Sequence, residues 1–118
     1  MDILYATDDG YALQTAVSMI SAFDHNRDAD AIRVFIVEDH MTEENKSRYH
    51  QIAAEYGREV RFVALDDILD PNLPIDALDW ARVAYAPVFA CNIPDLRRAI
   101  YLEGDTLVNG SLKELWEM

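Results

Sequence analysis

Short apolar runs rich in β-branched and aromatic residues alternate with segments of helical period along most of this chain, and that alternation restricts it to the α/β class. The first run, Ile3-Leu4-Tyr5-Ala6, stops at Thr7-Asp8-Asp9-Gly10, as a buried parallel strand does when it enters a turn. Leu13, Ala16, Val17 and Ile20 then recur at i, i+3, i+4 and i+7, which predicts a helix over residues 11–23 with those four on its buried face. Residues 32–37 read as the second strand. Thr42 is the expected N-cap of a second helix, with Glu43 and Glu44 at its positive end, Tyr49, Ile52, Ala53 and Tyr56 as its inner stripe, and Gly57 as its stop. Residues 60–65 give a third strand. The run of aspartates and prolines over 66–74 breaks regular structure.

Residues 80–90, beginning at Trp80, are helix-compatible but contain Pro87, which has no N–H and would clash one turn back, so a broken or restarted helix is expected there. Residues 99–102 form the fourth predicted strand, residues 106–108 a short extended piece, and residues 112–116 a helical turn capped by Ser111. Strands separated by helices pair in parallel through right-handed crossovers. One domain over residues 1–118 follows, with 51% hydrophobic residues to fill its core. The last helical turn lacks a downstream partner, so a shortened domain is expected.

Charge narrows the partners. Twenty-two acidic against ten basic residues leave a formal charge of -12, which argues against nucleic acid or an anionic membrane surface, since both need a basic patch. No stretch nears the roughly 20 apolar residues of a membrane span, and the N-terminus lacks the features of a signal peptide, so a cytoplasmic location is expected. Cys91, the single cysteine, is expected to be buried packing, and His25, His40 and His50 to lie on the surface.

In open α/β sheets ligands gather beyond the carboxyl ends of the strands, which directs attention to Thr7-Asp8-Asp9-Gly10-Tyr11 and Glu103-Gly104-Asp105. In extended backbone i and i+2 share a side, so Glu103 and Asp105 can aim two hard oxygen donors at one Mg²⁺ or Mn²⁺, with Gly104 permitting the turn. Such a cation would offset the repulsion between an acidic protein and a diphosphate. The alternative for Asp8 or Asp9 is an ordinary helix cap, and for Tyr11 packing beneath the first helix in place of stacking on a base.

The pieces MDILYATDDGYA and AIYLEGDTLVNGSLKELW closely resemble the start and the metal-motif segment of family 8 glycosyltransferases, with Ser111, Leu112, Leu115 and Trp116 at the expected places. The resemblance implies a GT-A-type, Rossmann-like, mostly parallel sheet with flanking helices, and retaining transfer of a hexose from a UDP-sugar with Mn²⁺ bridging carboxylates and diphosphate. It assigns Ala6, Asp8 and Tyr11 to the uridine, Thr7 and Gly10 to the same loop, and Glu103 and Asp105, around Gly104, to the metal. Gly10 stands where many members have Asn.

Three departures accompany it. Glu103 is one methylene longer than the usual aspartate. Pro87 occupies the place of an arginine that contacts the donor, and Arg82, about 140° away on an α-helix, is a poor substitute. The acceptor half, with its metal-binding histidine, is absent from these 118 residues. A relative that keeps the fold without transfer is therefore the alternative function, and uncovered apolar surface predicts a homodimer. A phosphorelay receiver domain shares the acidity, length and early acidic pair, but its lysine should end a strand, and Lys46 and Lys113 do not; Asp66 alone fits a phosphoacceptor.

Overall fold

A computed structural model of the chain describes residues 1–74 and 81–118. Its centre is a parallel sheet of β1 (Asp2–Asp8), β2 (Arg33–Asp39), β3 (Glu59–Ala64) and β4 (Ile100–Tyr101), in the order β3-β2-β1-β4. Helices α1 (Ala12–Asp24) and α2 (Glu43–Glu55) cover one face, while α3 (Leu65–Ile68) and a 3-10 segment (Arg82–Asn92) cover the other. A short helix, α4 (Lys113–Glu117), closes the chain.

The period-2 pattern of the strands sorts the two cores. Ile3, Tyr5, Val34 and Ile36 point to the α1–α2 side, and Leu4, Phe35 and Val37 to the other. Strands buried on both faces need this near-continuous apolar reading. Each fully buried large side chain among them contributes about 1.5–3 kcal/mol. Asp2 and Arg33 lock the start of the β1–β2 register with a two-pronged ion pair of 2.6 and 2.8 Å. The strand order itself separates two fold families. Rossmann-type sheets run 3-2-1-4, whereas receiver domains run 2-1-3-4-5, so the receiver alternative is ruled out by topology.

Several sequence expectations need correction. The predicted inner face of the first helix is half wrong, because Leu13 is 76% and Val17 47% exposed. The buried face is Ala12, Thr15, Ala16, Ser18, Met19, Ala22 and Phe23, where small and hydroxylated residues let the chain pack closely. Cys91 is exposed, not buried: in its segment Ala86 is the buried residue and Cys91 turns outward. That segment is one 3-10 run through Pro87 rather than a broken α-helix, and Trp80 lies outside the described residues. The ladder of β4 is two residues long, although the Leu102 N–H still reaches the Leu4 carbonyl at 3.0 Å. Residues 106–108, expected as a short extended piece, join no strand ladder: the Thr106 N–H donates to the Glu103 carbonyl at 3.2 Å and the Val108 N–H to Ser21 Oγ at 2.9 Å. Ser111 accepts from the Lys113 N–H at 3.2 Å, one residue outside the Leu112 cap position of α4. The region after β3 starts with α3 before it becomes irregular.

Other expectations hold. Thr42 Oγ1 accepts the Asn45 N–H at 3.2 Å, and Gly57 takes a positive φ of 66° past the end of α2. The three histidines are exposed. Among the described residues, no helix is long and apolar enough to cross a membrane.

Candidate nucleotide and metal site

The two acidic turns meet at the carboxyl end of the sheet. A cavity of about 220 Å³ is lined by Ala6, Thr7, Asp8 and Tyr11 from the end of β1, and by Tyr101, Glu103, Gly104 and Asp105 from the end of β4. Thr15, Ala81, Val83 and Ala84 complete its lining. Of the loop Thr7–Tyr11, Asp9 and Gly10 are not part of that lining, and Gly10 is the one the resemblance assigns to the nucleotide loop. It sits in the 3-10 turn Asp9–Tyr11, and a Cβ there would meet only Asp8 Oδ1 at an ordinary 3.4 Å. A larger cavity of about 390 Å³ lies at the other end of the domain, between Met1, residues 26–31 and α4, away from both turns.

The first turn is built by its aspartates, each with a different task. Asp8 Oδ1 accepts the Tyr11 N–H at 2.9 Å and so caps the 3-10 turn. Asp9 turns away from the cavity and holds the start of α2, accepting from Thr42 N at 3.0 Å, Thr42 Oγ1 at 3.1 Å and Asn45 Nδ2 at 2.8 Å. Those bonds, the Thr42 N–H foremost, hold its carboxyl below the ordinary value. A depressed aspartate contributes stability that is complete above 3.8 and lost as pH falls through the lower folded value. Asp9→Asn is therefore expected to lower the melting temperature at neutral pH and to flatten its fall below about pH 4, measured by thermal melts across an acid series. An unchanged acid slope would contradict the clamp.

The second turn is fixed by a polar seam along α1. The Thr106 hydroxyl donates to the Glu103 carbonyl at 2.7 Å, and its oxygen is 3.4 Å from Ser18 Oγ, which is 2.8 Å from the Tyr5 hydroxyl. Since the Thr106 proton is committed to Glu103, the chain runs Tyr5 to Ser18 to Thr106 to Glu103. Further along, the Val108 N–H donates to Ser21 Oγ at 2.9 Å and the Leu112 N–H to Asn26 Oδ1 at 2.7 Å. Gly104 lies directly on Thr15. A Cβ added there would overlap Thr15 Oγ1 and stand 3.3 Å from Thr15 Cβ.

The carboxylates of Glu103 and Asp105 remain on the solvent side of this frame. Both residues are exposed, and the domain's buried or bridging ion pairs, Asp2–Arg33, Glu38–Lys46 and Asp39–Arg82–Asp66, lie elsewhere. Tyr101, two residues before Glu103 and so on the same side of the backbone, has its phenol pushed up to about 12 by burial and then by the charge and hydrogen bond of Glu103. Among the described residues, no three His, Cys, Asp or Glu side chains are close enough to hold a metal ion by themselves.

The family model of glycosyl transferase family 8 matches residues 2–118. The chain belongs to glycosyltransferase family 8. A Haemophilus influenzae relative, whose glycosyltransferase name is provisional, is 31% identical over 120 residues, covering 100% of this chain and 36% of its own. Two crystal structures of LgtC superpose on the whole chain. An active-site mutant gives a TM-score of 0.80 at 28% identity, and the galactosyltransferase in complex with donor and acceptor sugar analogs gives 0.76 at 30%. The chain spans 42% of the length of each LgtC chain. The fold of this family 8 chain is thus the GT-A-type, Rossmann-like α/β sheet.

Sequence reasoning missed Thr15, Tyr101, Ala81, Val83 and Ala84 as lining. Strand alternation gives Tyr101 from Glu103, and helical spacing gives Thr15 from Tyr11, four residues on. Nothing local in the sequence brings residues 81–84 across the sheet.

Proposed function

We propose that this domain binds a UDP-sugar with the help of Mn²⁺ or Mg²⁺ and serves as the donor-binding part of a retaining hexosyltransferase acting in the cytoplasm. The observation that carries the reading is that both acidic turns line one cavity, at the sheet edge where α/β folds take nucleotides. Tyr11, 54% exposed at its mouth, offers a face for the base, and Asp8, beside Ala6, a carboxylate oxygen for a ring N–H. Thr7 is buried beneath the loop, where its hydroxyl donates to the Asp8 carbonyl at 2.9 Å. It shapes the backbone under the nucleotide.

The donor set fits a hard cation that is only partly held by protein. Glu103 and Asp105 supply two carboxylates, and Mg²⁺-like ions characteristically take one or two of these, with phosphate oxygens and water filling the octahedron. A cation so bound would offset the diphosphate charge against a protein of formal charge -12 and stabilise negative charge on the departing nucleotide. The chain's own residues would orient the uridine and hold the carboxylate pair on a rigid turn.

Calorimetric titration of UDP with and without Mn²⁺ tests the reading. Saturation at about 100 times the dissociation constant should stabilise the fold by roughly 2.7 kcal/mol. Neither heat nor a melting shift at millimolar ligand would end it. A second reading, binding without transfer, is favoured by Pro87, which leaves no guanidinium at that position, and by Glu103. UDP binding without UDP-sugar turnover separates the two. We also propose that two copies associate through the exposed apolar row of α1, Leu13 and Val17. A monomer mass by light scattering over a wide concentration range would remove that proposal.

A further inference from the structure

Arg82 stands behind the cavity wall, while its neighbours Ala81, Val83 and Ala84 form it. Its Nη1 donates to Asp39 Oδ1 at 2.9 Å and its Nη2 to Asp66 Oδ1 at 2.5 Å. Asp39 ends β2 and Asp66 lies in α3, so one guanidinium joins two elements on the far side of the wall. The Arg82 side chain is 27% exposed and that of Asp39 only 14%, which shields this contact better than a surface pair. Hydrogen bonding from Arg82, ahead of its charge, holds the Asp66 carboxyl below the ordinary value. His40 Nε2, 3.6 Å from Asp39 Oδ1, is the other basic group at this corner.

Within Arg82–Asn92, Ala86 is buried, Val83, Phe89 and Ala90 pack half-buried against the same core, and Asn92 Nδ2 donates to the Ile68 carbonyl at 2.9 Å, while Arg82 ties the first turn of the segment to β2 and α3. A planar fork satisfies two carboxylates on separate elements at once, which an ammonium does less well. We infer that Arg82 is a positioning residue for the nucleotide cavity: its bridge to Asp39 and Asp66 fixes residues 81–84 opposite the ends of β1 and β4 and thereby sets the width of the site. The inference rests on the nucleotide reading of the cavity.

The test reads two quantities on this chain, amide hydrogen exchange at residues 83–86 without ligand and calorimetric affinity for UDP with Mn²⁺. Arg82→Met should speed exchange at 83–86 about tenfold, leave α1 and β1 unchanged, and weaken UDP about tenfold, with Arg82→Lys recovering part of both. Unchanged exchange at 83–86 overturns the clamp whatever the affinity does. Faster exchange with unchanged affinity overturns positioning and leaves a structural contact. If the parent chain binds no UDP while Arg82→Met still speeds exchange, the nucleotide reading fails and the clamp stands on exchange alone. Should Arg82→Met speed exchange everywhere, Arg82→Lys and Asp66→Asn, which each keep part of the bridge, decide the matter by the same two readouts.

Discussion

Gly104→Ala is expected to cost about 1–3 kcal/mol of stability and to remove most nucleotide affinity. The new Cβ would overlap Thr15 Oγ1, and Thr15 cannot retreat: it is fully buried, and its hydroxyl donates to Thr7 Oγ1 at 3.2 Å. The strain must then move the Glu103–Asp105 turn away from α1, and the two carboxylates move with it. Thr15→Ala in the same chain removes the overlapping oxygen but leaves a Cβ 3.3 Å from the new methyl, so partial recovery is expected. Thermal melts and UDP titrations of the single and double variants check this. A Gly104→Ala protein with parental melting temperature and affinity would show that the close approach has no energetic weight.

Glu103→Gln with Asp105→Asn should abolish metal-dependent UDP binding, a loss on the order of 100-fold or about 2.7 kcal/mol, without lowering the melting temperature. Neither carboxylate takes part in the ion pairs that hold the fold, so removing their charge leaves the frame intact. The variant is two units less negative than the parent at -12, so weak metal-free binding of the nucleotide should be unchanged or slightly stronger. That opposite sign separates loss of a metal site from general damage. Equal Mn²⁺ enhancement in parent and variant would place the cation elsewhere.

Much of the fold was legible in the sequence because strand runs and turn residues are local signals. The β1 end, the Thr42 cap, the Gly57 stop and both acidic turns followed from residues within a few positions of one another. The inner face of α1 did not, because apolar periodicity selects the largest hydrophobes. Here Met19 and Phe23 share the buried side with alanines and with Thr15 and Ser18, and Thr15, Ser18 and the neighbouring Ser21 face residues 104–108, roughly 90 positions away in sequence. Hydroxyl pairs across such distances leave no mark on hydrophobic pattern. Cys91 failed for a related reason: burial frequency is a property of the residue type, whereas exposure was decided by which side of a 3-10 turn faced the sheet. Arg82 was weighed on α-helical geometry, and the segment is not α-helical. Its ion pairs with Asp39 and Asp66 fix its direction instead.

The seam between α1 and residues 103–112 also limits how this stretch can vary. Thr15, Ser18, Ser21 and Asn26 meet Gly104, Thr106, Val108 and Leu112 one after another, like teeth on two racks. Leu107, 70% exposed, and Asn109, facing solvent, are free to change in kind. An added or deleted residue would put every later tooth out of step, so this stretch tolerates new side chains far better than a new length.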